Sequence, residues 1–158
     1  FAPVLKELIR VVKPGGSVIL LGWSSQNLLP GHPLLEARLN GTCSGYLPFL
    51  QDKKPEHNFM RASYWLQDAG MKDIQVQTFV SDVQVPFDNS QLIALASLFD
   101  MLWGTRQPDV SDDDWSEYQR LCDPSSADFI LDVPKYYGFF TYSVFRGEVD
   151  KNLASSVA

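Results

Sequence analysis

The stretch Arg10–Trp23, RVVKPGGSVILLGW, contains a glycine pair whose reading decides the fold. A loop that cradles a phosphate leaves a strand and opens a helix, so that unpaired N–H groups at the helix start face the anion. Here the order is reversed. Upstream, Val4, Leu5, Leu8, Ile9, Val11 and Val12 recur at helical spacing, with Lys6, Glu7, Arg10 and Lys13 off that stripe. Downstream, Val18-Ile19-Leu20-Leu21 is a short continuous apolar run. It predicts a parallel strand over Ser17–Gly22, central in its sheet and covered on both faces. Arg10 and Lys13 suit a helix C-terminus, Pro14 forbids continuation, and Gly15 can take a left-handed turn. Pro14-Gly15-Gly16 is therefore a helix-to-strand hinge that binds no phosphate by itself.

Working outward, Trp23 to Lys54 is rich in Pro, Gly and Ser, with a short helix only at Pro33–Asn40. A loop of that length in a compact domain is functional or disordered. In NFMRASYWLQDAGM, Asn58 serves as N-cap, Phe59, Ala62, Leu66 and Ala69 share a face, and Gly70 stops the helix. DIQVQTFV alternates as a strand with unequal faces. Asn89 or Ser90 caps an apolar helix, Gln91 to Trp103, whose circumference predicts burial. SDDDWSEYQRLC sets three acids at a helix start, where the dipole favours them. FFTYSVFRG is a β-branched and aromatic strand. The order is helix, strand, long loop, helix, strand, two inserted helices, strand, which fits half of an open α/β sheet.

The 158 residues suffice for one domain, expected over 1–149, with a disordered tail at 150–158. The opening at Phe1, within a few residues of an amphipathic helix, reads as a piece of a longer chain or a product whose start is missing. A net charge of −6 argues against a nucleic-acid or anionic-membrane surface. Cys43 and Cys122 form neither a disulfide framework nor a zinc spacing and read as structural or incidental thiols. No apolar run approaches the ~20 residues of a membrane helix, and no signal peptide is visible, so the cytoplasm is the expected compartment.

That order, with its motifs, resembles the C-terminal half of class I S-adenosylmethionine-dependent methyltransferases. LKELIRVVKPGGSVILLG is similar to the family's helix and fifth strand around L-K-P-G-G, with Val12 in place of the common Leu. WLQDAGMKDIQVQTF resembles the next helix and sixth strand, and YSVFRGEV sits where an antiparallel seventh strand belongs. The resemblance implies a partial Rossmann-like sheet of the last three strands with flanking helices. It also implies two inserts, 23–57 and 87–135, of the kind that cover substrate in this family. The donor-binding glycine loop and acid would precede Phe1. No cofactor residue is therefore carried over, and the chain alone is expected to bind S-adenosylmethionine weakly or not at all. The implied partners are a small-molecule methyl acceptor and either the missing N-terminal half or a second copy.

Ligands in open α/β sheets sit beyond the carboxyl ends of the strands. The segment leaving Gly22 makes Trp23, Ser24, Ser25, His32, Glu36 and Arg38 the best-placed substrate candidates. His32 and Glu36, four residues apart, offer a base or a clamp, or are simply solvated loop residues. His57 reads as a cap or surface residue. Tyr136 and Tyr137, with Phe139 and Phe140, line an aromatic pocket or pack into the core. Asp112-Asp113-Asp114 reads as a helix start, and two lone histidines make no metal site. Two rivals remain: a fragment of a medium-chain nicotinamide-dependent dehydrogenase, or a non-catalytic remnant that dimerises through its sheet edge.

Overall fold

The computed structural model describes residues 2–41 and 54–150, and the hinge shows how the chain is built. Helix α1 (Ala2–Val11) ends three residues before Pro14, and β1 (Ser17–Asn27) follows. Gly15 takes φ +77°, the left-handed region that favours glycine. A Cβ on Gly16 would lie 2.6 Å from Val12 Cγ1 and 2.8 Å from the Lys13 carbonyl oxygen, so the tight turn needs glycine there too.

The remaining elements are α2 (Pro33–Gly41), α3 (Ala62–Asp68), β2 (Lys72–Gln84), α4 (Asn89–Trp103), α5 (Asp112–Cys122) and β3 (Tyr137–Glu148). Short 3-10 turns occupy Pro55–His57, Phe59–Arg61 and Ile130–Asp132. The fold is mixed α/β, with five helices and a three-stranded antiparallel sheet among the described residues. The strand order is β1-β3-β2. Gly15 N donates to Val149 O (2.9 Å), and Val149 N donates to Gly16 O (2.8 Å), fixing the β1–β3 register. Ser24 and Thr141 hydroxyls meet across it at 2.8 Å, and Thr78 meets Ser143 across β2–β3 at 2.9 Å.

By contact density the chain divides into two compact units. The first comprises the described residues within Phe1–Ser25, Lys53–Val80 and Thr141–Ala158. In it Leu5 of α1, Ala62 and Leu66 of α3, and Val18, Met71, Phe145 and Val149 form a buried cluster. Asn58 accepts a hydrogen bond from Met60 N and caps the 3-10 turn that leads into α3, and Gly70 (φ +79°) ends it. The second unit comprises Gln26–Asp52 and Ser81–Phe140, again where described. Its larger cluster joins Leu28, Leu29, Phe99, Trp103, Tyr118, Ile130, Leu131 and Tyr136, among others.

Expectations for β1, the α4 cap and β2 are corrected. β1 is an edge strand of this sheet, antiparallel to its neighbour rather than central and parallel. It is covered on one face only: Val18 is buried, whereas Ile19 and Leu21 are 60% and 62% exposed. An apolar run reads as two-sided burial, yet alternation along β1 packs one set of side chains inward and leaves the other facing out. β1 also continues to Asn27, because Ser24 and Ser25 pair with β3; Trp23, Ser24 and Ser25 are strand residues, not loop. The cap of α4 is Asp88, which accepts from Gln91 N while the Gln91 side chain accepts from Asp88 N, a reciprocal capping box. β2 runs on to Gln84, well past the alternating segment read from the sequence.

Cys43, most of the tail, and residues 42–53 of the expected long loop lie outside the described residues. Asp150, the first of the expected tail, pairs with Lys72 at 2.5 Å. Among the described residues no helix is long and apolar enough to cross a membrane.

Candidate functional site

The candidates read from the sequence fall in both units. Trp23 and Ser24 belong to the first. Trp23 meets Tyr142 edge-on, with ring centroids 5.3 Å apart, and the Ser24 hydroxyl is 3.2 Å from the Thr141 carbonyl oxygen. His32, Glu36, Arg38 and Tyr136 belong to the second.

Glu36 is the main surprise. It is 3% exposed, and its carboxylate accepts from Leu28 N (2.8 and 3.0 Å) and Leu29 N (2.9 Å). Tyr136, 1% exposed, donates its hydroxyl to Leu28 O at 2.8 Å. The chain leaving β1 turns into α2, and its backbone groups there have no strand partner. Two side chains supply them, one from the next helix and one 108 residues on. A Cβ on Gly138 would come within 2.9 Å of the Tyr136 oxygen, so glycine leaves room for that phenol. Glu36 is thus a buried clamp, and the expectation of an exposed loop acid is corrected. Tyr136 is core packing, one of its two readings; Tyr137 beside it is 52% exposed.

Arg38 forms a bidentate pair with Asp114 (2.6 and 2.8 Å), which holds the Asp114 carboxyl below the usual range. His32 Nδ1 lies 3.5 Å from Glu117 Oε1, an ion pair when the imidazole is protonated. Asp112 pairs with Arg106, and Ser111 caps α5 through Asp114 N, so the acidic run is a helix start. His57 lies exposed in the Pro55–His57 turn.

A concave feature of the second unit lies elsewhere, within the insert 87–135. α4 contributes Ala96, Ser97 and Asp100, with Gly104 at its end. α5 contributes Trp115, Tyr118, Gln119 and Cys122, and Asp123-Pro124 close the lining. The positions on α5 are i, i+3, i+4 and i+7, one helical face. Small residues on α4 stand opposite large rings on α5, which leaves an open groove of about 460 Å³ between the helices. Trp115 and Tyr118 stack with centroids 5.0 Å apart.

Burial pushes the Cys122 thiol up to about 12, with the Glu36 carboxylate adding to it. The Tyr118 phenol is pushed above its ordinary value by burial first, then by Cys122, Asp100 and Asp123. Both groups stay protonated at neutral pH. Cys122 is thus no activated thiolate. Backbone and hydroxyl hydrogen bonds from Ser125 hold the Asp123 carboxyl below the usual range. The groove offers aromatic surface, two carboxylates and neutral donors, which suits binding and orientation of a small ligand. Among the described residues no group of three or more His, Cys, Asp and Glu is arranged to hold a metal.

Sequence reading missed this groove because it depends on which face of α4 meets α5. The available signals were the apolar girth of α4 and the Trp115/Tyr118/Cys122 stripe. No protein-family model matches the sequence, and no curated protein matches it.

Proposed function

We propose that this chain is the C-terminal, substrate-side portion of an S-adenosylmethionine-dependent methyltransferase acting on a small molecule, built on the last three strands of a partial Rossmann-like sheet. The observation that carries the reading is the order of motifs together with strand direction. A helix and Lys-Pro-Gly-Gly lead into β1, a helix ending in Ala-Gly leads into β2, and β3 lies between them, antiparallel to both. β1 and β2 therefore run the same way and are joined by a crossover that contains α3, as parallel strands require. The groove in the insert is the natural place for the acceptor, which it would bind and orient. Trp23, Ser24, His32 and Arg38 remain secondary substrate-side candidates, and a cytoplasmic setting goes with this reading.

The Pro14-Gly15-Gly16 turn is not a place for the methyl donor. The N–H groups of Gly15 and Gly16 donate to Val149 O and Lys13 O, so the turn has no free donors to cradle an anion. The test is calorimetry on two proteins. The product of the complete reading frame should bind S-adenosylmethionine one to one, and the 158-residue chain should not. A full-length product that does not bind the donor overturns the reading.

A second reading has one observation in its favour. The β1 edge (SVILLGWSSQN) carries no charge and no proline to deter pairing, and Ile19 and Leu21 are exposed beside it. A binding module that dimerises through this edge would sediment as a dimer and bind neither donor nor acceptor.

A further inference from the structure

We propose that the α4–α5 groove is a binding site for a small, flat organic cation: an amidinium, guanidinium or substituted ammonium on an aromatic or apolar body. The groove's own lining carries this assignment, independently of the methyltransferase reading. Asp100 and Asp123 are the two charged residues of the lining, and no basic residue lines it. Asp100 accepts no hydrogen bond at its carboxylate among the described residues. The bonds Asp123 accepts, from Ser125 N and Oγ, fall on Oδ1 at 2.8 and 2.7 Å, which leaves Oδ2 for a ligand.

The nearby cations are committed elsewhere. Arg120 pairs with Glu117 and Asp128, and Arg106 binds Val110 O and Asp112. The negative field in the groove is therefore not neutralised from within. The stacked Trp115 and Tyr118 rings line the same groove, and a cation over an indole or phenol face is attracted by the ring quadrupole. At the groove wall, Cys122 is 6% exposed and its thiol has no hydrogen-bond partner among the described residues, a weak donor left over for a ligand. The volume, about 460 Å³, is in the range of small-molecule sites. An anion would meet two carboxylates, and a neutral ring would leave them unpaired.

The probe is benzamidine, with benzamide as its neutral counterpart of the same shape, titrated into the 158-residue chain by NMR and by tryptophan fluorescence. Benzamidine should saturate a single site and bind about tenfold or more tighter than benzamide, with affinity falling as salt rises. Asp100→Asn and Asp123→Asn should each weaken it by about three- to tenfold. Gln119→Glu, on the exposed lip, should tighten it. Equal affinity for probe and counterpart, or indifference of all three variants, overturns the proposal. Thermal melts of the variants separate lost binding from lost folding. The methyl donor plays no part, so this outcome is independent of the reading-frame experiment.

Discussion

The two units contrast in how well each encloses its own apolar residues. Among the described residues the second buries a cluster of 16, the first a cluster of 7. The first leaves Val4, Val11, Ile19, Leu21, Phe79 and Val80 half or more exposed, on α1, β1 and β2. The regular helix–strand framework, which carries the family resemblance, is the poorly covered part. The second unit, which joins the insert to Leu28, Leu29, α2 and Tyr136, is the better enclosed one, although Leu34, Ile93 and Met101 stay exposed. A fold element can thus be easy to recognise and still depend on surfaces outside itself, whereas a unit built around an insert can be better enclosed.

The largest effect should come from the enclosed core. Phe99→Ala should cost about 3–5 kcal/mol in urea unfolding, since Phe99 is fully buried and stacks on Trp103. Leu66→Ala, in the smaller cluster, should cost about 2–5 kcal/mol and act on a separate or earlier transition. One shared transition, shifted equally by both, would break the contrast.

Next comes the clamp. Glu36→Ala leaves the Leu28 and Leu29 N–H groups buried without their acceptor, at about 1–3 kcal/mol each. Glu36→Gln keeps one acceptor oxygen and should lose less. Faster amide exchange at Leu28 and Leu29 would mark the local cause, and unchanged exchange would reject it.

Alkaline pH sharpens the contrast further, since Cys122, Tyr118 and Tyr136 all lie in the second unit with raised values. Below about pH 8.5 the thiol is protonated in both folded and unfolded chains and contributes no slope. Between there and about 12, the unfolded chain releases a proton that the folded chain keeps, so stability falls as pH rises. Each such group contributes about 1.4 kcal/mol per pH unit over its own window. Melting temperature should drop from pH 8.5 to 10.5, less steeply in Cys122→Ala. A flat profile would contradict the burial.

The smallest effect should come from the open face. Leu21→Thr should change folding stability by less than about 0.5 kcal/mol, while lowering any self-association seen by sedimentation. A loss of several kcal/mol would mean that Leu21 is covered in solution.

Much of the framework could be read from local chemistry. The Pro14-Gly15-Gly16 hinge, the Gly70 stop and the Asp112–Asp114 helix start depend on residues close in sequence, and each was legible. The extent of β1 was not: Trp23-Ser24-Ser25-Gln26-Asn27 looks like loop until Thr141, 117 residues beyond Ser24, supplies its partner. Glu36 failed for a different reason: its partners, Leu28 N and Leu29 N, lie only eight and seven residues away, but a carboxylate is usually solvated unless backbone donors surround it, and these came from a turn that no pattern announces. The groove needed the pairing of two helix faces, a tertiary fact.

The central position of β3 has a consequence for how the protein is made. β1 and β2 have no hydrogen-bonded partner in this sheet until the strand at Tyr137–Glu148 arrives to lie between them. The Leu28 carbonyl likewise waits for a tyrosine 108 residues later. At ~5–20 residues per second of translation, that wait is about 5–20 s. For that interval the nascent chain carries an apolar, uncharged strand whose β3-facing edge is open. A ribosome-bound chaperone that shields β1 until its last partner emerges would therefore raise the yield of folded protein, and slower translation after Asn27 would lower it.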